Sequence, residues 1–336
     1  DGHETITFAQ NSTVGLKAII AIHDTRLGPA LGGCRIWKYG SEAEALGDVL
    51  RLSRGMSYKA ALAGLPLGGG KSVILADAQV EKTPEMMRAM GRAVERLGGR
   101  YIVAEDVGAT VADMDEIARE TAHVSGTSGH IGDPSPWTAE GVSLSLQACA
   151  RRRLGPDAPL VVSVTGLGHV GSHLCRLLAR AGARLKVSDI RAEAVARMVV
   201  ELGAEAVEPE DAHRTDCDVF APCALGAVLN ARSIPEIRAR IVCGAANNQL
   251  AEPEDGKRLS ARGIAYAPDY LVNAGGLISV ARPTIGLSDA DARRKLEAIP
   301  ETLAAVFDTA EREGTSPDHA ADALALSRIE AAKGRR

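Results

Sequence analysis

Short apolar runs alternate with amphipathic stretches in the first third of the chain. Residues 16–22 (LKAIIAI) predict a buried strand, and residues 42–54, with leucine and valine at helical spacing, predict a helix. Thr83 and Pro84 predict the start of another helix, because threonine caps helices and proline is tolerated in their first turn. Three further strands are predicted over residues 58–62, 72–75 and 101–104. The pattern indicates an α/β domain.

The second half of the chain alternates strands and helices more regularly. A stretch rich in Gly, Ser and Pro, residues 126–136, predicts a loop or an interdomain connection. A helix is predicted from Thr138 to about Arg153, then a strand over 160–164, a glycine turn and a helix that Gly182 ends. Further strands are predicted at 219–220, 241–242 and 264–267. A helical tail is predicted at 296–306 and from Ser316 onward. Strands separated by helices favour a parallel, doubly wound sheet.

Length and composition set the broad class. The chain of 336 residues is longer than a domain with a single hydrophobic core usually is, so two domains are expected, residues 1–137 and 138–317. Hydrophobic residues make up 46% and charged residues 24%, as in an ordinary globular protein. The net charge of −4 gives no reason to expect nucleic acid or an acidic membrane as a partner. No apolar stretch is long enough to cross a bilayer, no leader is visible, and six scattered cysteines favour a reducing, cytoplasmic setting.

Residues 166–171 (GLGHVG) carry the G-x-G-x-x-G pattern of a dinucleotide-binding turn, with a β-branched strand before it and an amphipathic helix after it. The first glycine permits the tight turn, the second lets the backbone approach a pyrophosphate, and the third allows close helix packing. Asp189 ends the next predicted strand, where a carboxylate holds ribose hydroxyls and repels a 2′-phosphate. NAD is therefore favoured over NADP, a preference that Arg191 would soften. The alternative is a glycine turn in a domain that binds no nucleotide.

Two lysines and an aspartate stand out in the first domain. Lys59 lies in an apolar, strand-like run, and Lys71 follows three glycines and leads into another strand. Asp106 follows the predicted strand over 101–104. Lysines are seldom buried without a partner; the alternative is that the stems are buried and the amines reach solvent. The glycines before Lys71 would let a ligand approach closely.

These three groups suit the oxidative deamination of an amino acid. One lysine can remain charged and hold the substrate carboxylate. The second, desolvated and beside that charge, would have a lowered pKa and act as a base or activate water at the imine carbon. The aspartate can move protons to and from the substrate nitrogen, while hydride transfer belongs to the nicotinamide.

Seven short motifs are distinctive in combination: GPALGG at 28–33, MSYK at 56–59, LGGGK at 67–71, AEDVG at 104–108, APCALG at 221–226, GAANN at 244–248 and VNAGG at 272–276. Together they resemble the Glu/Leu/Phe/Val dehydrogenase family, and the likeness covers nearly the whole chain. The resemblance implies an N-terminal α/β substrate and oligomerisation domain and a doubly wound Rossmann NAD domain, separated by a cleft. It also implies that a tail helix over residues 318–336 packs back on the first domain.

The resemblance implies roles for individual residues. Lys59 would hold the substrate carboxylate, Lys71 would be the catalytic lysine and Asp106 the acid/base. Substrate contacts are expected from Gly32 and Gly33, with Asn273 touching substrate or cofactor. Cofactor contacts are expected from Gly166, Gly168, His169, Val170, Gly171, Asp189, Ala224, Leu225 and Asn247.

Aliphatic residues stand where glutamate-specific members of the family have polar ones. Leu31 replaces a lysine and Val280 a serine, so a glutamate carboxylate would be buried unpaired at high cost. The pocket is expected to comprise Leu31, Ala104, Leu277 and Val280. Ala104 resembles the leucine and valine enzymes, whereas Leu277 does not. Leucine, valine or isoleucine is the favoured substrate, and phenylalanine is the alternative.

Two other functions would share the cofactor domain. A 2-hydroxy-acid dehydrogenase needs a catalytic histidine with a carboxylate partner, which does not stand out among the 8 histidines. His169 and His173 also lack a third ligand for a metal. A non-catalytic NAD-binding sensor would be expected to lose Lys71 or Asp106, and both are present. The resemblance further implies a homo-oligomer, from dimer to octamer, that takes an amino acid or a 2-oxo acid with ammonia.

Overall fold

The computed structural model of the chain describes residues 2–129, 132–156, 159–224 and 226–332. It divides into two compact units, each assembled from separated segments. The first unit comprises Asp1–Gly132, Val280–Ser288 and Ala325–Arg336, and the second comprises Asp133–Ser279 and Asp289–Leu324. Among the described residues, no helix is both long enough and apolar enough to cross a membrane.

In the described part of the first unit, five strands form one mixed sheet. They are β1 (Thr5–Asn11), β2 (Leu16–Asp24), β3 (Ala30–Trp37), β4 (Gly68–Leu75) and β5 (Tyr101–Glu105), in the order β1-β2-β4-β3-β5. Strands β1 and β2, and β2 and β4, are antiparallel. Strand β3 runs parallel to both β4 and β5. Three strands therefore end at the same edge, which brings their carboxyl ends together.

Helices cover both faces of this sheet: α1 (Glu42–Leu62), α2 (Pro84–Glu95) and α3 (Val111–Ala118). Alternate residues of β2 face opposite sides. Ile20 and Ile22 pack with Met86 and other residues of α2, whereas Ile19 packs with Val49 of α1. Each fully buried side chain of this size stabilises the fold by about 1.5–3 kcal/mol. Thr83 caps α2 through Met86 N–H at 3.2 Å, which confirms the predicted helix start.

The predicted strand over residues 58–62 is wrong, because these residues are the last turn and a half of α1. The buried residues Ser53, Ser57, Ala60 and Ala61 recur at helical spacing along one face. Alanine is the strongest helix former, and here it outweighs the apolar run that indicated a strand. Lys59 is consequently half-buried on a helix and does not lie in a sheet.

In the second unit, among the described residues, six parallel strands form a second sheet in the order β11-β10-β9-β6-β7-β8. The strands are β6 (Val161–Thr165), β7 (Arg184–Ser188), β8 (Glu205–Ala206), β9 (Val219–Pro222), β10 (Ile241–Val242) and β11 (Ala265–Tyr266). From the middle of the sheet, β6, β7 and β8 follow one another towards one side, and β9, β10 and β11 follow one another towards the other side. The order therefore reverses between β6 and β9, as in a doubly wound dinucleotide-binding sheet. The predicted fold class is confirmed.

The helices of the second half are α4 (Ser135–Leu154), α5 (His169–Arg180), α6 (Ala192–Leu202), α7 (Glu254–Ala261), α8 (Asp269–Val272), α9 (Gly275–Ile285), α10 (Asp289–Glu297), α11 (Ile299–Glu313) and α12 (Pro317–Ala331). The apolar residues over 296–306 belong to two helices, α10 and α11, because the helix is interrupted at Ala298, before Pro300. The end of α12 lies in the first unit. There Arg328 donates to the carbonyls of Ala61 and Leu62, at 3.1 and 2.8 Å, and so satisfies the C-terminus of α1.

Candidate active site

A buried ion pair joins two of the residues singled out in the sequence. Lys71 lies on β4 and is 7% exposed, and its Nζ is 2.5 Å from Oδ2 of Asp106. Asp106 directly follows β5. Strand β3 lies between β4 and β5 and contributes Gly33 at this point. A Cβ on Gly33 would lie 2.6 Å from the Asp106 Cβ, so only glycine leaves room for the aspartate.

A second cation reaches Asp106 from β3. Arg35 Nε lies 3.3 Å from Asp106 Oδ2, and Arg35 Nη1 donates to Asp48 Oδ2 at 2.9 Å. The Tyr39 hydroxyl donates to the same oxygen of Asp48 at 2.8 Å, so Asp48 holds the arginine in place. Sequence reasoning missed Arg35, Asp48 and Tyr39. The signal was a charged residue inside the apolar run ALGGCRIW, which forms strand β3.

The two cations determine the charge of Asp106. Burial alone would raise the pKa of this carboxyl group, which is only 18% exposed. The charges of Lys71 and Arg35 outweigh burial and hold the pKa of Asp106 below its usual range. Asp106 is therefore an ionised carboxylate at neutral pH, in contact with the buried Lys71 side chain.

Other atoms of the protein occupy the space beside each of the three glycines before Lys71. A Cβ on Gly68 would lie 2.0 Å from the Asp24 carbonyl oxygen, and one on Gly70 would lie 2.6 Å from the Tyr101 ring. A Cβ on Gly69 would lie 2.0 Å from the Ser57 nitrogen. The interpretation that these glycines leave space for a ligand is wrong. They let β4 pack tightly, and Gly69 brings β4 against α1 two residues before Lys59.

Tyr101 ties the strands of the site together. It is fully buried on β5, and its hydroxyl donates to the Gly32 carbonyl at 2.7 Å and lies 3.0 Å from Ser72 Oγ. Burial raises the pKa of this hydroxyl well above its ordinary value, so it remains a neutral donor. Tyr101 thus links β5 to β3 and to the residue next to Lys71. The sequence indicated only that Tyr101 begins a strand.

The expected apolar pocket residues of the first unit fall on β3, β5 and α9. Leu31 is 1% exposed, and Ala104 pairs with Gly33 across β5 and β3. Val280 is half-buried, and its carbonyl accepts a hydrogen bond from Ser125 Oγ at 3.0 Å. Leu277 is also half-buried on α9, in the part of that helix that belongs to the second unit.

In the second unit, the glycine turn follows β6 and leads into α5. Gly166 has a φ of +92°, and a Cβ there would lie 2.7 Å from Ala224 N. A Cβ on Gly171 would lie 1.9 Å from the Gly166 carbonyl oxygen, whereas one on Gly168 would meet nothing within 4 Å. Two glycines are therefore required by packing, and the middle one leaves its side open. Among the described residues no side chain caps the N-terminus of α5, so its amide groups can receive a phosphate.

Asp189 is fixed beside this turn, directly after β7. Its Oδ2 accepts a hydrogen bond from Leu167 N–H at 2.6 Å, and its Oδ1 accepts one from Arg191 N–H at 2.9 Å. The Arg191 guanidinium also pairs with it, with Nε 3.1 Å from Oδ1. Burial would raise the pKa of Asp189, but the hydrogen bonds from Arg191 and Leu167 lower it below the usual range. The carboxylate is consequently ionised and held against the turn.

Two asparagines expected at the site are joined to each other. Asn273 Nδ2 donates to Asn247 Oδ1 at 2.8 Å and to the Ala245 carbonyl at 3.1 Å. Asn273 Oδ1 is buried and accepts no hydrogen bond from the residues that the structure describes, which is the condition of an acceptor available to a ligand.

The remaining expected cofactor residues differ in their exposure. His169 is exposed and pairs with Asp133, whose Oδ2 lies 3.3 Å from its Nδ1, and Val170 is half-buried on α5. Ala224 is exposed beside Gly166, and Leu225 lies outside the described residues.

A doubly wound sheet with an open glycine turn at its carboxyl edge is the architecture of dinucleotide-dependent oxidoreductases. The sequence matches two family models: the Glu/Leu/Phe/Val dehydrogenase dimerisation domain over residues 3–123, and the Glutamate/Leucine/Phenylalanine/Valine dehydrogenase model over residues 185–336. The chain therefore belongs to the glutamate/leucine/phenylalanine/valine dehydrogenase family, whose members are amino-acid dehydrogenases.

Individual relatives agree with this assignment. The chain is 51% identical over 333 residues to leucine dehydrogenase of Geobacillus stearothermophilus, which covers 98% of this chain and 91% of that protein. It is 46% identical to valine dehydrogenase of Streptomyces albus, over 100% of this chain and 94% of that protein. The crystal structure of L-tryptophan dehydrogenase from Nostoc punctiforme superposes with a TM-score of 0.87 at 44% identity, covering 99% of this chain and 97% of that one.

Proposed function

We propose that the protein catalyses the reversible, NAD-dependent oxidative deamination of an apolar L-amino acid to the 2-oxo acid and ammonia, with leucine, valine or isoleucine preferred. The observation that carries the proposal is the buried pair of Lys71 and Asp106, 2.5 Å apart, with Arg35 behind it. The names of the relatives, leucine and valine dehydrogenase, support the substrate class.

The ion pair supplies the acid–base chemistry. In the oxidative direction a proton first passes from Lys71 Nζ to Asp106 Oδ2, and the neutral amine then takes a proton from the water that adds to the imine carbon. Asp106 then delivers a proton to the nitrogen, which leaves as ammonia. A separation of 2.5 Å lets a proton pass between Nζ and Oδ2 without rearrangement, so each group can restore the other. The same residues serve the reverse reaction in the opposite order.

The second unit fits the dinucleotide. Bound NAD supplies the acceptor for the hydride. The open side of Gly168 and the uncapped N-terminus of α5 suit the pyrophosphate, and the ionised Asp189 suits the ribose hydroxyls. Asn273 offers its buried acceptor, and Asn247 is held beside it.

Lys59 and the aliphatic residues determine which substrate is held. Lys59 lies on the helix that packs on β4 at Gly69, and we assign it to the substrate carboxylate. Leu31, Ala104 and Val280, all of the first unit, would contact the side chain. A second carboxylate among them would lose its hydration without gaining a cation, so glutamate is disfavoured.

We also propose that the chain forms a homo-oligomer. One matching family model describes a dimerisation domain, and β1 is an edge strand that exposes Ile6 and Phe8. Exposed apolar residues on a sheet edge are a typical contact surface. Light scattering at several concentrations should give a mass of at least twice 35.1 kDa, and a mass of 35.1 kDa would overturn this proposal.

The substrate assignment is tested by initial rates of NADH formation with leucine, valine, isoleucine, phenylalanine, tryptophan, alanine and glutamate. The highest kcat/KM is expected for a branched-chain amino acid, and glutamate is expected to be the poorest. A preference for phenylalanine or tryptophan would support the proposed reaction but contradict the proposed preference for branched-chain substrates. No turnover of any of them, with NADH still bound, would overturn the reaction itself and favour the sensor.

A further inference from the structure

A cavity rich in arginine lies in the second unit, away from the glycine turn. Its volume is about 600 Å³, within the range of small-molecule sites. Its floor is apolar, since Ile237, Ala239 and Ile264 are at most 5% exposed. Its charged lining consists of Arg214, Arg238, Arg240, Arg262 and Glu236. Four arginines and one carboxylate thus line a cavity whose buried lining residues are apolar.

Two of these arginines are already neutralised by carboxylates. Arg214 pairs with Glu236 at 3.1 Å and with Asp211 at 3.5 Å. Arg240 pairs with Asp218 at 3.3 Å. The Arg214 and Arg240 side chains remain 48% and 64% exposed, so both can still contact a ligand.

The other two arginines keep their full charge. Arg262 donates to the carbonyl oxygens of Ile234 and Ile237, the latter at 2.9 Å, which holds its guanidinium in place without cancelling its charge. Within the part of the chain that the structure describes, Arg238 is exposed and contacts no carboxylate. An uncompensated pair of guanidinium groups attracts a ligand with two negative charges close together, and their planar forks match phosphate oxygens.

The cavity is distinct from the proposed cofactor site. The glycine turn follows the carboxyl end of β6. Arg240 directly precedes β10, and Ile264 directly precedes β11, at the amino ends of strands that run parallel to β6. The glycine turn therefore lies at the carboxyl ends of the parallel strands, and the arginine cavity lies at their amino ends. The five residues of β6 span about 17 Å at about 3.3 Å per residue, which separates the two ends.

We propose that this arginine cavity binds a diphosphate group, either as a free polyphosphate or as part of a nucleotide. Arg238 and Arg262 would hold the phosphate oxygens, and Arg214 and Arg240 would contact them from the rim. A nucleotide would in addition lay its ring on the apolar floor.

The test is isothermal titration calorimetry with inorganic pyrophosphate, at low salt, with and without saturating NADH. NADH separates this site from the glycine turn, which can also receive a pyrophosphate. Wild type, Arg238→Gln and the control Arg232→Gln are compared. Arg232 is exposed nearby but does not line the cavity, so the control removes the same charge from the same unit. Neither substitution removes a buried group, and circular dichroism checks the fold.

Pyrophosphate should bind wild type and Arg232→Gln equally, with NADH present, and Arg238→Gln about tenfold more weakly, the loss expected for one charge-assisted contact. Equal binding by Arg238→Gln and wild type would overturn the proposal, as would an equal loss in both variants or the absence of binding once NADH is present. A parallel titration with ADP identifies the source: tighter binding than pyrophosphate assigns a nucleotide, and weaker binding assigns a free polyphosphate.

Discussion

Asp106 meets two cations in a setting that would otherwise keep a carboxyl group neutral. Burial disfavours its charge, and Lys71 at 2.5 Å and Arg35 at 3.3 Å restore it. Lys71 contacts the same oxygen atom, so it is also the group that would exchange a proton with Asp106. Arg35 therefore acts as a positioning residue: it sets the charge of Asp106 through space and is itself held by Asp48.

Arg35→Gln should move the acid limb of the pH profile of kcat/KM upward by about one pH unit. Loss of a nearby cation raises a carboxyl pKa by about 1–3 units, so Asp106 becomes protonated at a higher pH. Arg51→Gln is the matched control, because Arg51 also pairs with Asp48, at 2.8 Å, and does not contact Asp106. An unmoved acid limb in Arg35→Gln, or an equal shift in both variants, would rule out this role.

Gly33→Ala should lower kcat by about tenfold or more. The new Cβ would lie 2.5 Å from the Glu105 carbonyl oxygen and 2.6 Å from the Asp106 Cβ, so it must displace the aspartate from Lys71. Gly47→Ala on α1 is the control, since a Cβ there meets nothing within 4 Å. The control should keep full activity and gain up to about 1 kcal/mol of stability. Full activity in Gly33→Ala would contradict the packing argument.

Helices and strands whose pattern is confined to one segment of the chain were predicted well from the sequence. The strand–turn–helix over 161–180 and the capped start of α2 needed only local information. Strand β3 was missed because two glycines interrupt its apolar pattern. Both positions must be glycine because a Cβ there would collide with Gly70 or Asp106, which lie far along the chain. The end of α1 was misassigned since a helix with one apolar side and a short buried strand look alike over five residues. Contacts such as Arg35 with Asp48 depend on the sheet order, which the sequence does not reveal.

The contact between β2 and α1 should make stability depend on pH. His23 on β2 is buried, with Nδ1 2.8 Å from Ser57 Oγ on α1. Burial, and then the neighbouring His3, lower the pKa of His23 from 6.5 to about 4. The unfolded chain therefore binds more protons between these pH values, so stability is fully present above pH 6.5 and declines towards pH 4.

His23→Gln should remove part of that decline, about 2 kcal/mol after allowance for solvent screening, since one pKa unit corresponds to about 1.4 kcal/mol. Urea unfolding at pH 7.5 and pH 4.5 measures it, and His213→Gln, which removes a histidine of the second unit, serves as the control. Identical pH dependence in wild type and His23→Gln would exclude His23 as the source.

The turn between β6 and α5 distinguishes binding from packing. Gly168→Ala should fold normally and weaken NADH binding about tenfold, because the added methyl group occupies space that the protein leaves open. Gly171→Ala should instead lower the melting temperature, since its Cβ would lie 1.9 Å from the Gly166 carbonyl oxygen. Fluorescence titration with NADH and thermal unfolding separate the two effects. Unchanged NADH affinity in Gly168→Ala would argue against the pyrophosphate at this turn.

At the scale of the whole molecule, two compact units carry different parts of the proposed chemistry. Lys71 and Asp106 belong to the first unit, and Gly168 and Asp189 belong to the second. The class of each unit followed from the sequence, because the doubly wound pattern and the lysine motifs are local. The exact segments that make up each unit did not, since residues 280–288 return to the first unit from within the second half of the chain.

Turnover and NADH affinity of Lys71→Ala, measured in one preparation, test whether Lys71 together with Asp106 carries out the deamination. Acid–base groups contribute about 10²–10⁴-fold to a rate, so kcat with the preferred amino acid should fall by that order. NADH should bind as it does to wild type, because Lys71 and the glycine turn lie in different units. Lys82→Ala, which breaks the ion pair with Asp113 elsewhere in the first unit, should keep turnover. Turnover of Lys71→Ala at the wild-type rate would exclude Lys71 from the deamination.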